Sequence, residues 1–206
     1  SPGRARRNLG PGEKEMKLKA RWVKLKPEQR LHHLKVPVIG LTGGIATGKS
    51  TVASTLIDQG LPVINADHLV KEIYSRPETI DFISVNYPQV MKGTEIDFRK
   101  LRELVFSAPV VKEEVEAFIY ARMPEAFLTA YAKLGSPALV IYDVPLLFEK
   151  LLDPVVDLKV LVYAPARIQK ARLMERDGHE ESMALTIMGN QMDIEEKREK
   201  ADLVID

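Results

Sequence analysis

Five short apolar runs along the chain predict the strands of a sheet. They begin at Val36, Leu61, Pro137, Leu158 and Leu203. The run 137–142 is continuous rather than alternating, which is typical of a strand buried on both faces of a parallel sheet. Between the first two runs, Val52, Leu56 and Ile57 recur at helical spacing, and Gly60 ends the predicted helix. This alternation of strand and helix predicts an α/β fold.

A long helical segment interrupts the alternation. Residues 68–136 carry amphipathic patterns, one of them running from Val111 to Ile119, and we expect that helix to continue past Pro124 with a bend. An insertion of this size between consecutive strands predicts a separate lobe within the domain.

Composition excludes several classes of protein. The chain has 206 residues, 45% of them hydrophobic, and no cysteine, so disulfides and thiolate metal ligands are impossible. No apolar run approaches the roughly 18 residues of a membrane-spanning helix, and the start of the chain lacks the apolar core of a secretory signal. We therefore expect a soluble, cytoplasmic protein without a membrane partner.

The basic residues are concentrated at the start of the chain. Residues 1–36 carry 11 Lys and Arg against three Asp and Glu, whereas the remainder carries 19 against 26. We interpret residues 1–36 as a basic N-terminal extension or tag, with Met16 as a plausible native start. Basic residues interleaved with apolar ones are also found at RNA and membrane contacts. Trp22 is the only aromatic residue there, so we favour a solvated arm and expect no nucleic-acid partner.

A glycine-rich loop follows the first strand. Gly43–Ser50 has the pattern of glycine, four residues, glycine, lysine and serine, and it lies between a predicted strand and a predicted helix, as in phosphate-binding loops. Glycines let such a loop turn its N–H groups around phosphate oxygens, and the helix start adds its positive dipole end. The predicted nucleotide-binding residues are Gly43, Gly44, Ile45, Ala46, Thr47, Gly48, Lys49, Ser50 and Thr51. Lys49 is predicted to reach the β- and γ-phosphates, and the Ser50 hydroxyl to bind Mg²⁺.

Aspartates follow the second and third predicted strands. The carboxyl ends of parallel strands line the ligand crevice, so we expect Asp67 and Asp143 beside the phosphates. Asp67 can accept a proton from an attacking hydroxyl or hold Mg²⁺ through water, and Asp143 is the expected second acidic partner of Mg²⁺. The alternative for Asp67 is an N-cap of a helix that opens at His68. For Leu146 and Leu147, which follow, core packing and substrate contact both stay open.

Two arginines lie four residues apart on the helix that begins near Pro165. Arg172 and Arg176 therefore share a face and can clamp polyphosphate, although a solvated helix would carry similar charges. Residues 177–191 break this helix and form another, which predicts a lid over ATP.

From Val38 to Asp206 the chain resembles the dephospho-coenzyme A kinases. The matching landmarks stand in the family's order and spacing: Leu41–Ile45, Gly48–Thr51, Val63–Ile64, Ala66–Asp67, Leu101, Val105–Phe106, Pro109, Asp143–Glu149, Gln169, Arg172–Met174, Arg176, Gln191, Ala201–Asp202 and Val204–Asp206. The resemblance implies a P-loop kinase fold over residues 37–206, with a five-stranded parallel sheet flanked by helices, an acceptor-binding insertion at 68–136 and a lid at 177–191. It also implies transfer of the γ-phosphoryl group of ATP, with Mg²⁺, to the ribose 3′-hydroxyl of dephospho-CoA, the last step of coenzyme A biosynthesis.

The resemblance also implies roles for individual residues. Asp67 is the general base, Lys49 binds phosphate together with the loop amides, and Arg172 and Arg176 neutralise the transferring group. The candidates for contact with the acceptor substrate are Arg99, Tyr120, Leu147 and Phe148.

Four positions depart from the family's pattern. Asn65 stands where the first of two aspartates is usual, and Ile187 where an arginine usually precedes Gln191 by four residues. In the acceptor lobe, Tyr120-Ala121 replaces a His-Pro pair, and Asp97-Phe98, with Arg99 one residue later, replaces an Asp-Arg pair. Two other functions therefore stay open: a related kinase with another acceptor, and a nucleotide-binding protein with weakened catalysis.

Overall fold

The structure is a computed structural model that describes residues 16–206. The start of the chain, which we interpreted as a cloning remnant or natural tail, lies outside the described residues.

Five strands form one sheet in the order β2-β5-β1-β6-β7, and two short strands form an antiparallel hairpin. The strands are β1 (Val38–Gly43), β2 (Val63–Asn65), β3 (Met91–Lys92), β4 (Glu95–Ile96), β5 (Val140–Asp143), β6 (Leu158–Val162) and β7 (Leu203–Ile205). β1 pairs in parallel with β6, and β6 pairs in parallel with β7. The predicted α/β fold with a five-stranded parallel sheet is confirmed. β2 begins after Pro62, which has no N–H to donate to a strand ladder, and β5 begins at Val140, three residues later than predicted.

The helices alternate with the strands of the sheet and fill the long segment between β2 and β5. They are α1 (Lys49–Asp58), α2 (Ala66–Tyr74), α3 (Pro77–Asn86), α4 (Phe98–Ser107), α5 (Pro109–Tyr120), α6 (Met123–Lys133), α7 (Ala166–Asp177), α8 (Glu181–Gly189) and α9 (Ile194–Lys200).

One of our expectations for the helices is wrong, and one helix was missed. No single helix continues past Pro124, because α5 ends at Tyr120 and α6 begins anew with Pro124 in its first turn, where a missing N–H has no cost. α9 was not predicted. Ile194 is its one apolar residue, and its other buried side chain is Lys197, so the sequence shows no apolar stripe.

The chain divides into two compact units. The first, here called the loop unit, comprises the chain up to Val63 together with Pro137–Ile141 and Pro145–Asp206. Its core includes the buried residues Leu41, Ala53, Leu139, Ile141 and Val162. The second, the insertion unit, comprises Ile64–Ser136 and Tyr142–Val144.

The insertion unit has a core of its own. Ile73, Ile83 and Phe127 are fully buried, and the Phe127 ring meets the edge of the Tyr142 ring with 5.0 Å between the ring centroids. Offset or edge-to-face packing of this kind is favourable for aromatic rings.

The basic side chains of Lys17, Lys19, Arg21, Lys24 and Lys26 are exposed, as a solvated arm predicts, but other residues of the segment before β1 are packed against the loop unit. Leu18 packs against the core of the loop unit, and Arg30 is only 4% exposed. The Arg30 guanidinium donates to both carboxylate oxygens of Asp157, with Nε to Oδ2 at 2.7 Å and Nη2 to Oδ1 at 3.1 Å. Lys24 Nζ donates to Asp202 Oδ1 at 2.9 Å. The acidic partners lie more than 100 residues further along the chain, so local charge patterns gave no sign of them.

Candidate active site

The phosphate-loop sequence forms a tight turn between β1 and α1 in the loop unit. Its first two glycines lie close to neighbouring atoms: a Cβ on Gly43 would stand 2.7 Å from Thr47 Oγ1 and 3.0 Å from the backbone oxygen of Val162, and one on Gly44 would stand 2.3 Å from Gln169 Nε2, so the Gln169 side chain would have to move. Positive φ angles occur further along, at Ala46 (57°) and Gly48 (92°). Ala46 thus adopts a positive φ although it carries a Cβ.

Gly48 is the N-cap of α1, so Lys49, Ser50 and Thr51 are its first three residues. The first N–H groups of a helix have no partner within the helix, and the dipole there favours negative charge. The start of α1 therefore has the chemistry that binds a phosphate group.

Polar side chains from the part of the chain after β6 form hydrogen bonds with the backbone of the phosphate loop. Gln169 Nε2 on α7 donates to Ile45 O at 2.8 Å, and Gln191 Oε1 accepts from Ile45 N at 2.9 Å. Arg172 Nη1 donates to Ala46 O at 3.0 Å. Gln169 and Gln191 appeared in the sequence only as family landmarks, and the structure gives them this supporting role.

A cavity of about 650 Å³ opens beside the loop within the loop unit. Of the predicted nucleotide-binding residues, those lining it are Ala46, Thr47, Gly48, Thr51, Arg172 and Arg176. Arg172 and Arg176 thus share one cavity, as their spacing predicted. Arg176 also forms a two-point ion pair with Asp177, at 2.7 and 2.8 Å, and its side chain is 64% exposed. The volume lies in the usual range of ligand pockets, roughly 300–1,000 Å³.

The predicted acidic residues lie in the insertion unit at the ends of β2 and β5. Asn65 is the N-cap of α2: its Oδ1 accepts from His68 N at 3.0 Å, and its Nδ2 donates to Asp143 Oδ2 at 2.9 Å. Asp67 is the second residue of α2 and is exposed, so its alternative interpretation as the N-cap is wrong.

Asp143 and Asp67 differ in exposure within the insertion unit. Asp143 is buried, with 1% of its surface exposed, whereas Asp67 is exposed. Burial raises the pKa of the nearby Tyr142 hydroxyl far above its ordinary value, and the negative charge of Asp67 raises it further. Tyr142 is therefore a neutral hydroxyl over the physiological pH range, near the carboxylate of Asp67.

Asp67 and Asp143 supply carboxylate oxygens of the kind that Mg²⁺ takes as ligands, but two carboxylates alone do not complete its coordination. Among residues 16–206 no group of three or more His, Asp and Glu side chains is placed to hold a metal ion. Mg²⁺ in kinases is usually held by one or two carboxylates together with substrate phosphates and water. The carboxylates of Asp67 and Asp143 have that donor chemistry.

The four acceptor candidates differ in accessibility. Arg99 and Tyr120 are exposed on α4 and α5 of the insertion unit. Leu147 is 0% and Phe148 2% exposed in the loop unit, and a Cβ on Gly40 would stand 3.0 Å from Leu147 Cδ2. Of the two interpretations left open for Leu147, the structure favours core packing. Phe148 is likewise among the buried apolar residues of the core.

The fold and the loop define a P-loop kinase: a parallel sheet with β1 in the middle, the glycine-rich loop between β1 and α1, and a helical insertion after β2. The family model described as dephospho-CoA kinase matches residues 37–206. The chain belongs to the dephospho-CoA kinase family, as its landmarks indicated.

Individual relatives agree with this assignment. A dephospho-CoA kinase of Enterococcus faecalis is 36% identical over 176 residues, which cover 82% of this chain and 87% of that protein. The crystal structure of TT1252 from Thermus thermophilus has a TM-score of 0.75 at 33% identity and covers 82% of this chain and 87% of that one. A dephospho-CoA kinase structure from Campylobacter jejuni has a TM-score of 0.59 at 27% identity, covering 82% and 86%. The docked segment 16–36 precedes the family match, which begins at residue 37.

Proposed function

We propose that the chain transfers the γ-phosphoryl group of ATP to the ribose 3′-hydroxyl of dephospho-CoA, giving coenzyme A and ADP. Membership of the dephospho-CoA kinase family carries the choice of acceptor. The observation that carries the chemistry is the phosphate loop, which lines a cavity together with two arginines. A cytoplasmic location and the absence of a nucleic-acid partner stay predictions from the sequence.

Positioning and electrostatics account for most of the catalysis in this proposal. The loop amides and Lys49 hold the phosphates of ATP, and the arginines Arg172 and Arg176 offset charge that develops on the transferring group. Arg172 Nη1 donates to Ala46 O, which leaves the other N–H donors of its guanidinium for phosphate oxygens. Mg²⁺, when bound, would neutralise phosphate charge and orient the phosphate oxygens, with Ser50, Asp67 and Asp143 as the candidate ligands.

Asp67 is the proposed general base. Its carboxylate is exposed in the first turn of α2, so it is free of the burial that would hinder access of an acceptor hydroxyl. It accepts the proton of that hydroxyl as the new P–O bond forms, and the bond from the γ-phosphorus to the leaving ADP oxygen breaks. Arg99 and Tyr120 are the proposed acceptor contacts, since both side chains are exposed on the insertion unit.

An acceptor panel tests this function. ADP release is measured with ATP, Mg²⁺ and each of dephospho-CoA, adenosine, a nucleoside monophosphate and shikimate, and the product is identified by mass spectrometry. We expect turnover with dephospho-CoA alone, a product heavier by one phosphoryl group at the 3′ position, and none with Lys49→Ala. Preference for another acceptor would support a related kinase, and ATP binding without turnover on any acceptor would support a protein with weakened catalysis.

A further inference from the structure

A fully buried lysine lies behind the phosphate loop. Lys197 on α9 is 0% exposed, and its Nζ has three acceptors: Glu149 Oε1 at 2.8 Å, Gly43 O at 3.2 Å and Pro145 O at 3.2 Å. An ammonium group has three N–H donors, so all three are used. All four residues belong to the loop unit.

A buried ammonium is unfavourable unless it is paired and hydrogen-bonded, and here both conditions hold. Glu149 supplies the opposite charge, and its Oε1 also accepts from Met192 N at 3.0 Å, just before α9. The second carboxylate oxygen, Oε2, is buried without a hydrogen-bond partner among the described residues. Without Lys197, the Glu149 carboxylate would therefore lose the cation that compensates its burial.

The contact to Gly43 O acts on the phosphate loop itself. Gly43 is the first residue of the loop, and in a trans peptide the C=O of one residue and the N–H of the next point in opposite directions. Holding Gly43 O towards Lys197 therefore turns Gly44 N–H the other way. Lys197 therefore holds the peptide plane at the entry of the loop, where the pairing of Gly43 with Val162 in the sheet ends.

The contact to Pro145 O ties the same lysine to the segment after β5. Pro145 O accepts from Thr42 Oγ1 at 3.1 Å as well as from Lys197. The last residues of β1 and the residues after Asp143 are thus joined through one carbonyl and one ammonium group. A shift of Lys197 would therefore loosen both the end of β1 and the segment after β5.

We propose that Lys197 is a positioning residue that preorganises the phosphate loop for nucleotide. It acts through the Gly43–Gly44 peptide and does not touch the nucleotide. The inference rests on the proposed role of the loop in ATP binding. The sequence alone does not indicate this role of Lys197, because the residue lies in a run of charged residues on a helix of seven residues.

The test compares Lys197→Met with Arg30→Met. Each change removes a buried cation of the loop unit, but the Arg30 contacts go to Asp157, Leu25 O and Leu34 O, none of which is in the loop. A fluorescent ATP analogue is titrated into each variant with Mg²⁺, well below the melting temperature of the least stable protein. Kinetics then give kcat and KM for ATP and for dephospho-CoA separately.

We expect Lys197→Met to raise the Kd for nucleotide on the order of tenfold and to lower kcat/KM for ATP by about 10²-fold, as for other small misplacements of a binding group. The KM for dephospho-CoA should stay within about twofold, as should the nucleotide Kd of Arg30→Met. If Lys197 only stabilised the fold, its replacement would not change the nucleotide Kd and kcat/KM for ATP while leaving the KM for dephospho-CoA unchanged.

The following outcomes would overturn the inference. Equal nucleotide binding by Lys197→Met and wild type would overturn it while leaving the proposed function intact, and so would equal losses of binding in both variants. A wild-type protein that does not bind ATP would overturn the proposed function and this inference together. If Lys197→Met does not fold, Glu149→Gln, which keeps the shape and removes the charge, must raise the Kd several-fold, and an unchanged Kd refutes the proposal.

Discussion

Replacement of Arg30 by methionine should destabilise the protein more than any change to an exposed charge of the same segment. Arg30 lies before the residues that the family model matches, yet it is 4% exposed and donates to both oxygens of Asp157. The Asp157 side chain is 0% exposed. The variant would leave this carboxylate buried without its cation.

The size of this loss of stability depends on the hydrogen bonds that Asp157 keeps in the variant. Removing one partner of a buried ion pair costs about 3–5 kcal/mol of unfolding free energy. Asp157 would still accept the N–H groups of Val38, Leu25 and Lys24, at 3.0, 3.0 and 3.1 Å. Those bonds stabilise the charged form, so we expect a loss at the lower end, about 3 kcal/mol.

Urea unfolding at neutral pH measures this loss. Lys24→Met is the matched control: the Lys24 side chain is 43% exposed and pairs with Asp202, so its loss should cost under about 1 kcal/mol. Added salt should change the Arg30 effect little, because buried pairs are poorly screened. A loss below about 1 kcal/mol for Arg30→Met would refute the reasoning that the segment stabilises the loop unit through this pair.

The pH dependence gives a second check on the same pair. Burial alone would raise the pKa of Asp157, but the hydrogen bonds from Arg30 and from backbone amides outweigh it and hold the pKa below its ordinary value. A depressed folded-state pKa contributes stability above the unfolded value of about 3.9, which is lost as the pH falls through the folded value. The difference between wild type and Arg30→Met should therefore be constant from pH 7 to 5 and shrink below about pH 4. A difference that grew on acidification would contradict the assignment.

Three further substitutions test the site. Gly44→Ala would place a Cβ 2.3 Å from Gln169 Nε2, so we expect loss of the partly buried hydrogen bond from Gln169 to Ile45 O, about 1 kcal/mol, and weaker ATP binding by titration; unchanged binding would count against the close-approach argument. Asp67→Asn should keep ATP binding and lower kcat by about 10²–10⁴-fold in the coupled assay, and an undiminished kcat would remove Asp67 as the base. Asn65→Asp would replace the amide that donates to Asp143 at 2.9 Å with a second carboxylate. Its melting temperature should fall in EDTA and recover with Mg²⁺ by more than that of wild type, and equal recovery would contradict the predicted repulsion.

The sheet and the loop could be predicted because their causes are local in the sequence. A buried strand is an apolar run, and the loop pattern encodes the turn, the helix start and the lysine within eight residues, Gly43–Ser50. The docking of Arg30 and the burial of Lys197 could not be predicted in this way. Each depends on an acidic partner distant in sequence, Asp157 or Glu149, and a basic residue has the same local pattern whether it is solvated or buried.

Side chains from distant parts of the sequence hold the backbone of the phosphate loop, and the loop sequence alone does not reveal them. Its backbone is held at Gly43 O by Lys197, on both sides of the Ile45 residue by Gln169 and Gln191, and at Ala46 O by Arg172. These partners come from α7, α9 and the turn between α8 and α9, and Gln191 is the one that belongs to the predicted lid, 177–191. Because Arg172 uses only Nη1 for Ala46 O, its other guanidinium N–H groups can reach a phosphate oxygen without loss of this bond. Holding the loop and binding phosphate are therefore compatible roles of the same arginine.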